Sequence, residues 1–160
     1  MTSATGRRRR SPRATLAVQY GVAATKLPAP TAVRRWARAA LERDAAVTLR
    51  FVGRREGRKL NAVYRGRDHA TNVLAFVYDE ATPICGDVVL CVPVLRQEAR
   101  AQQKPLARHC AHLVVHGMLH LQGHDHDSPR AAHAMEARET AILGALGMPD
   151  PYAPSAAARR

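Results

Sequence analysis

The chain has 160 residues, 46% of them hydrophobic and only 4% aromatic, with 25 basic side chains against 13 acidic ones. That length predicts one domain that buries roughly two thirds of its unfolded surface, in a core of Ala, Val and Leu. No apolar run approaches the ~20 residues that cross a bilayer, and Cys85, Cys91 and Cys110, with no C-x-x-C pair, exclude a disulfide scaffold and point to a reducing, cytoplasmic setting.

Residues 1–14 hold Arg7, Arg8, Arg9, Arg10 and Arg13 with no acid, and read as a disordered basic tail. The apolar stretch after them is broken by Gln19 and Tyr20 and lacks a small-residue cleavage site, so it does not build a secretory signal. With Arg159 and Arg160 at the other end, the net charge of +12 leaves +5 for residues 15–158. A basic body favours a polyanionic partner such as RNA, although the same charge also serves solubility.

Residues 15–22 read as a first strand and 32–43 as an amphipathic helix, with Thr31 as its N-cap. The alternation in 46–52 predicts a second strand. A helix is expected over 54–65, with Leu60, Val63 and Tyr64 on its inner face. Strands follow at 72–77 and 86–92, the latter so apolar that burial on both faces is expected. Helices are expected at 95–103, at 106–121 between Pro105 and Gly123, and from Pro129 to Gly147 behind an N-capping Ser128. Pro149, Pro151 and Pro154 end order, with 153–160 a loose tail. The sum is an α+β domain over 15–152, a mixed sheet of about four strands with about five helices.

The chemistry concentrates in His116-Gly117-Met118-Leu119-His120-Leu121-Gln122-Gly123-His124-Asp125-His126. Three histidines stand as H-x-x-x-H-x-x-G-x-x-H, the ligand spacing of a metzincin zinc site, but Gly117 occupies the position of the protease's general-base Glu. His116 and His120, four apart on a helix, share a face. Gly123 permits a left-handed turn that returns His126 to them. Three imidazoles leave a fourth position open, the catalytic arrangement for zinc.

Six of the eight histidines lie between 109 and 126, so simple local enrichment competes with this reading. His124 rivals His126 as third ligand, and His112 is expected to pack or to support a ligand. Asp125 and Asp127 either orient an imidazole or are solvated loop carboxylates. Gly117 either makes room for a bulky substrate group or marks close packing against a strand.

The His116–His126 stretch resembles the YbeY family of bacterial endoribonucleases and rRNA maturation factors. Further resemblance runs through Leu60-Asn61-Ala62-Val63-Tyr64-Arg65-Gly66-Arg67-Asp68, Thr71-Asn72-Val73-Leu74, Gly86-Asp87-Val88-Val89-Leu90-Cys91, Lys104-Pro105-Leu106 and Met148-Pro149-Asp150-Pro151-Tyr152. Ala70, Ala75 and Val77 depart from the family's usual residues.

The resemblance implies a zinc-dependent endoribonuclease that prefers single strands. It would act in maturation of the 16S rRNA 3′ end and in ribosome quality control, with the small ribosomal subunit and assembly factors as partners. It implies His116, His120 and His126 as ligands of one Zn2+ and Arg65 as the functional arginine. An ion pair with Asp68 is the competing role for Arg65. Neither membrane nor DNA is expected as a partner. The alternatives are a non-catalytic assembly factor with structural zinc and, more distantly, a metzincin-like peptidase.

Overall fold

The protein's structure, a computed structural model, describes residues 10–67 and 69–154. The elements run β1 (Ala14–Tyr20), α1 (Pro30–Ala39), β2 (Ala45–Val52), α2 (Arg54–Arg65), β3 (Val73–Asp79), β4 (Ile84–Cys91), α3 (Val92–Ala101), α4 (Leu106–Leu121) and α5 (Pro129–Ala145). The strands form one mixed sheet in the order β1-β2-β4-β3. β1 and β4 both run parallel to β2, and β3 pairs antiparallel with β4 as an edge strand. The α+β class, with four strands and five helices among the described residues, matches the sequence reading.

Helix starts differ from expectation where proline intervenes. α1 begins at Pro30, with Ala29 rather than Thr31 as its N-cap and no side-chain cap. α3 begins at Val92 with Pro93 in its first turn, ahead of the expected Leu95. Proline's fixed φ suits the first helical turn, and its missing N–H falls where no intrahelical partner exists. α1 also stops at Ala39, short of the expected 43. At α5 the expected cap is in place, with Ser128 Oγ accepting from Ala131 N at 3.0 Å.

The two faces of the sheet are covered unequally. On one, Val47, Leu49, Phe51, Val88 and Leu90 meet Trp36, Val114, Val115, Met118 and Leu143 in the main core. On the other, a smaller cluster of Val52, Leu74, Val89 and Cys91 lies under Leu60 of α2. β4 lies between β2 and β3 and contributes to both cores, as its apolar run requires.

α2 corrects the sequence reading: Gly57 and Asn61 are its buried residues, whereas Val63 and Tyr64 are 68% and 55% exposed. Only Leu60 of the expected inner face packs against a core. Asn61 is buried, and its Nδ2 donates to His69 O at 2.7 Å, tying the chain after the helix to it.

The chain ends are more ordered than expected where described. Arg10 pairs with Asp44 at 2.7 Å and Arg13 N donates to the same carboxylate at 2.8 Å, so the approach to β1 is tethered rather than loose. Residues 1–9 and 155–160 of the expected tails lie outside the described residues. No helix among the described residues is long and apolar enough to cross a membrane.

Candidate metal centre

α4 is the most deeply buried helix, and its histidines emerge where it leaves the core. His112, His116 and His120 recur every four residues and are all partly buried. Gly117 lies against the sheet: a Cβ there would stand 2.6 Å from Val88 Cγ1 and 3.3 Å from Val73 Cγ2. Close helix–sheet packing therefore explains Gly117, and the reading of Gly117 as room for substrate is set aside. No carboxylate can occupy that position.

Beyond α4, Gly123 takes φ +101° and the chain reverses, with His124 N donating to Leu119 O at 3.1 Å. The reversal returns His126 to the helix. Its ring centroid lies 5.7 Å from that of His116 and 6.2 Å from that of His120.

His124 points elsewhere. Its Nε2 lies 3.0 Å from both Glu42 oxygens, and Arg138 donates to the same carboxylate at 2.8 Å. Burial pushes the Glu42 carboxyl up, but hydrogen bonds and charge from His124 and Arg138 hold it below its ordinary range. Asp125 and Asp127 are exposed, and Asp125 Oδ1 accepts from Asp127 N at 3.3 Å, an ordinary loop turn.

Behind the histidines stands a residue that the sequence reading missed. Glu139 of α5 is fully buried, its Oε1 2.5 Å from His116 Nδ1 and its Oε2 3.3 Å from His112 Nε2. Tyr152 donates its hydroxyl to the same Oε2 and lies 3.2 Å from His112 Nε2. The segment after α5 thus folds back onto the site instead of trailing away after Pro149. Burial pushes the Glu139 carboxyl up, but hydrogen bonds from His112, His116 and Tyr152 outweigh it and bring it down to about 2.

An ionised carboxylate only accepts, so His116 donates from Nδ1 and its lone pair is placed on Nε2. A carboxylate behind a metal-binding histidine does the same, fixing the tautomer and raising ligand basicity. The one hint of Glu139 in the sequence is that it is the sole acid on an α5 stripe otherwise made of Met135, Ile142 and Leu143.

Three imidazoles are a donor set that zinc accepts. His120 Nδ1, like the Nδ1 atoms of His109 and His112, is buried with no hydrogen-bond partner among the described residues. Burial first, then the charges of His116, Arg65 and His126, push the His120 pKa down and favour the neutral, ligating imidazole. With metal–nitrogen distances near 2.0–2.1 Å, tetrahedral imidazoles bring ring centroids to roughly 5 Å of one another. The rings here stand slightly wider, and among the described residues no three His, Cys, Asp or Glu side chains reach ligand spacing as they lie. A cavity of about 160 Å³ opens beside them, lined by His116, His126, Met135, Glu136, Glu139 and Tyr152.

Arg65 ends α2, where Gly66 in the left-handed region (φ 67°) turns the chain away. It is exposed, and its charge reaches His120. That reach links Arg65 to His120, one of the three histidines, although 55 positions separate them in the chain. Asp68, the competing partner for Arg65, lies outside the described residues.

Known proteins share this sequence and fold. The family model described as Endoribonuclease YbeY matches residues 24–147. Endoribonuclease YbeY of Aromatoleum aromaticum is 56% identical over 146 residues, covering 89% of this chain and 95% of that one. The Cupriavidus metallidurans protein of the same name is 49% identical over 159 residues, covering 96% of this chain and 81% of its own. The solution structure of TM1509 from Thermotoga maritima superposes with a TM-score of 0.54 at 22% identity, over 87% of this chain and 99% of that one, and so supports the fold. A match over most of its length, with relatives near half identical, places the chain in the endoribonuclease YbeY family.

Proposed function

We infer that the chain is a metal-dependent endoribonuclease that cuts single-stranded RNA, with His116, His120 and His126 holding one zinc ion and Arg65 engaging the scissile phosphate. The observation that carries this reading is the convergence of three imidazoles on one side of Glu139, with the Arg65 charge acting on the same group. Zinc, when bound, supplies Lewis acidity toward a phosphoryl oxygen and lowers the pKa of a bound water toward ~7.

The chain's own residues do the rest. Glu139 keeps the proton on His116 Nδ1 and presents Nε2 to the site. Arg65 offers a guanidinium fork that matches two phosphate oxygens and stabilises charge developing on them. Gly117, packed on Val88, supplies no carboxylate at the position of the protease's general base, which disfavours peptide hydrolysis.

The cellular setting rests on kinship: maturation of the 16S rRNA 3′ end and ribosome quality control, on the small subunit with its assembly factors. The test is cleavage of a labelled single-stranded RNA and its duplex by zinc-loaded protein. Cutting of the single strand is expected, with Arg65→Ala slower by roughly 10²–10³-fold and His116→Ala inactive. An intact single strand with zinc-loaded protein would sink the reading.

A further inference from the structure

Five large apolar side chains are exposed among the described residues, and two of them, Tyr64 on the last turn of α2 and Tyr78 on β3, are aromatic and belong to the region around Phe76. Exposed apolar groups gathered in one place mark an interaction site. This one is aromatic. The Tyr64 ring stands 4.5 Å from that of Phe76, and Tyr78 lies two residues further along β3 from Phe76. Three of the chain's seven aromatic residues are thus concentrated here.

The rings are held in place. Tyr78 donates its hydroxyl to Asp87 on β4, and Tyr64 rests on Phe76, so neither ring has to be ordered when something lands on it. α2 carries Arg54, Arg55, Lys59 and Arg65, and its Glu56 is tied to Arg50 at 2.8 Å, while Asp87 and Asp79 stand beside Tyr78 on the strands. Tyr64 is followed in the chain by Arg65, whose charge acts on His120.

Rigid aromatic faces bordered by cations suit unstacked bases of single-stranded RNA, whose flat faces stack on the rings while phosphates follow the charge. A protein partner would be served by the apolar area but would leave the α2 cations unexplained. Building on the endoribonuclease reading, we propose that Tyr64, Phe76 and Tyr78 form a stacking platform. It holds bases of the RNA strand beside the cut and hands its backbone to Arg65 and the histidine site. The platform gives the site its preference for single strands, because paired bases cannot present their faces to it.

The test compares binding of a labelled single-stranded RNA octamer and an abasic strand of equal length by fluorescence anisotropy across a salt series, with cleavage of the octamer followed in parallel. Wild-type protein is expected to bind the abasic strand about tenfold more weakly, within the range for loss of base stacking. Tyr64→Ala should lose about tenfold on the octamer and bind both strands alike, with an unchanged salt slope. Tyr64→Phe should behave as wild type, and Tyr78→Ala should lose affinity in the same direction as Tyr64→Ala. Arg65→Ala instead should shift the salt slope by about 0.7, the value for one phosphate contact on a single strand.

If wild-type protein cuts the octamer but Tyr64→Ala and Tyr78→Ala both bind it unchanged, the platform is overturned while the nuclease reading stands. That holds equally if those variants lose a protein partner instead. If wild-type protein neither binds nor cuts the octamer, the nuclease reading itself falls.

Discussion

The two faces of the sheet do different work. Under α1, α4 and α5 the strands are sealed: Val33, Phe51, Leu90, Val114 and Met118 have no exposed surface, and a glycine lets α4 lie directly on Val88. Under α2 the cover is thin, a small cluster around Leu74 and Val89, and the helix's last turn leaves Val63 and Tyr64 in solvent. The sealed face gives the histidines an unyielding support, with a buried carboxylate behind them. The open face leaves charge and aromatic surface free for a large, flexible partner. The candidate site lies where the two meet, with its histidines anchored in the sealed layer and its arginine supplied by the open one.

If this contrast is right, substitutions on the sealed side should be costly and those on the open side cheap for folding. The largest effect is expected at Glu139→Gln, which keeps the volume but removes the ionised acceptor shared by His112, His116 and Tyr152. Zinc affinity should fall by about 10–100-fold, as for other carboxylates behind metal-bound histidines. Competition with a chromophoric chelator would read it, and unchanged affinity would remove Glu139 from the site.

Next comes Gly117→Ala. Its Cβ would press into Val88 Cγ1, at a cost of about 1–3 kcal/mol that the ~1 kcal/mol gain in helix propensity only partly offsets. A net loss in denaturant unfolding is expected, and a gain would show that α4 is free to shift. On the open face Val63→Ser should leave stability within ~0.5 kcal/mol of wild type. A larger loss would mean that α2 is sealed after all.

The smallest effect concerns the tether before β1. The Arg13 N–H, and then Arg10, hold the Asp44 carboxyl below its ordinary range. Its contribution to stability is therefore present above the ordinary Asp pKa of ~3.9 and is lost as pH falls through the depressed folded value. Asp44→Asn should flatten that acid decline in a series of melting curves. An identical decline in both proteins would show that the tether contributes nothing.

Much of this layout was legible in the sequence, and the rest was not for identifiable reasons. Alternation marked β2, continuous apolarity marked β4 as central, and Pro105 and Gly123 bracketed α4. These are local signals, each read within one element. Tyr64 and Val63 misled because helical spacing shows which residues share a stripe, not whether the helix end overhangs its sheet. Glu139 was overlooked because a buried acid makes sense only with its partners, and His116 lies 23 positions away. Gly117 allowed two explanations until Val88 was placed beneath it. His124 could be separated from His126 only once Glu42, 82 positions away, was found to hold it.

The central claim is that His116, His120 and His126, and not His124, form the metal centre. It is tested most directly by zinc content per chain, measured by mass spectrometry on protein purified with zinc. One zinc ion is expected in wild type and in His124→Ala, and none in His116→Ala, His120→Ala or His126→Ala. Retention of zinc by His126→Ala together with its loss from His124→Ala would contradict the account.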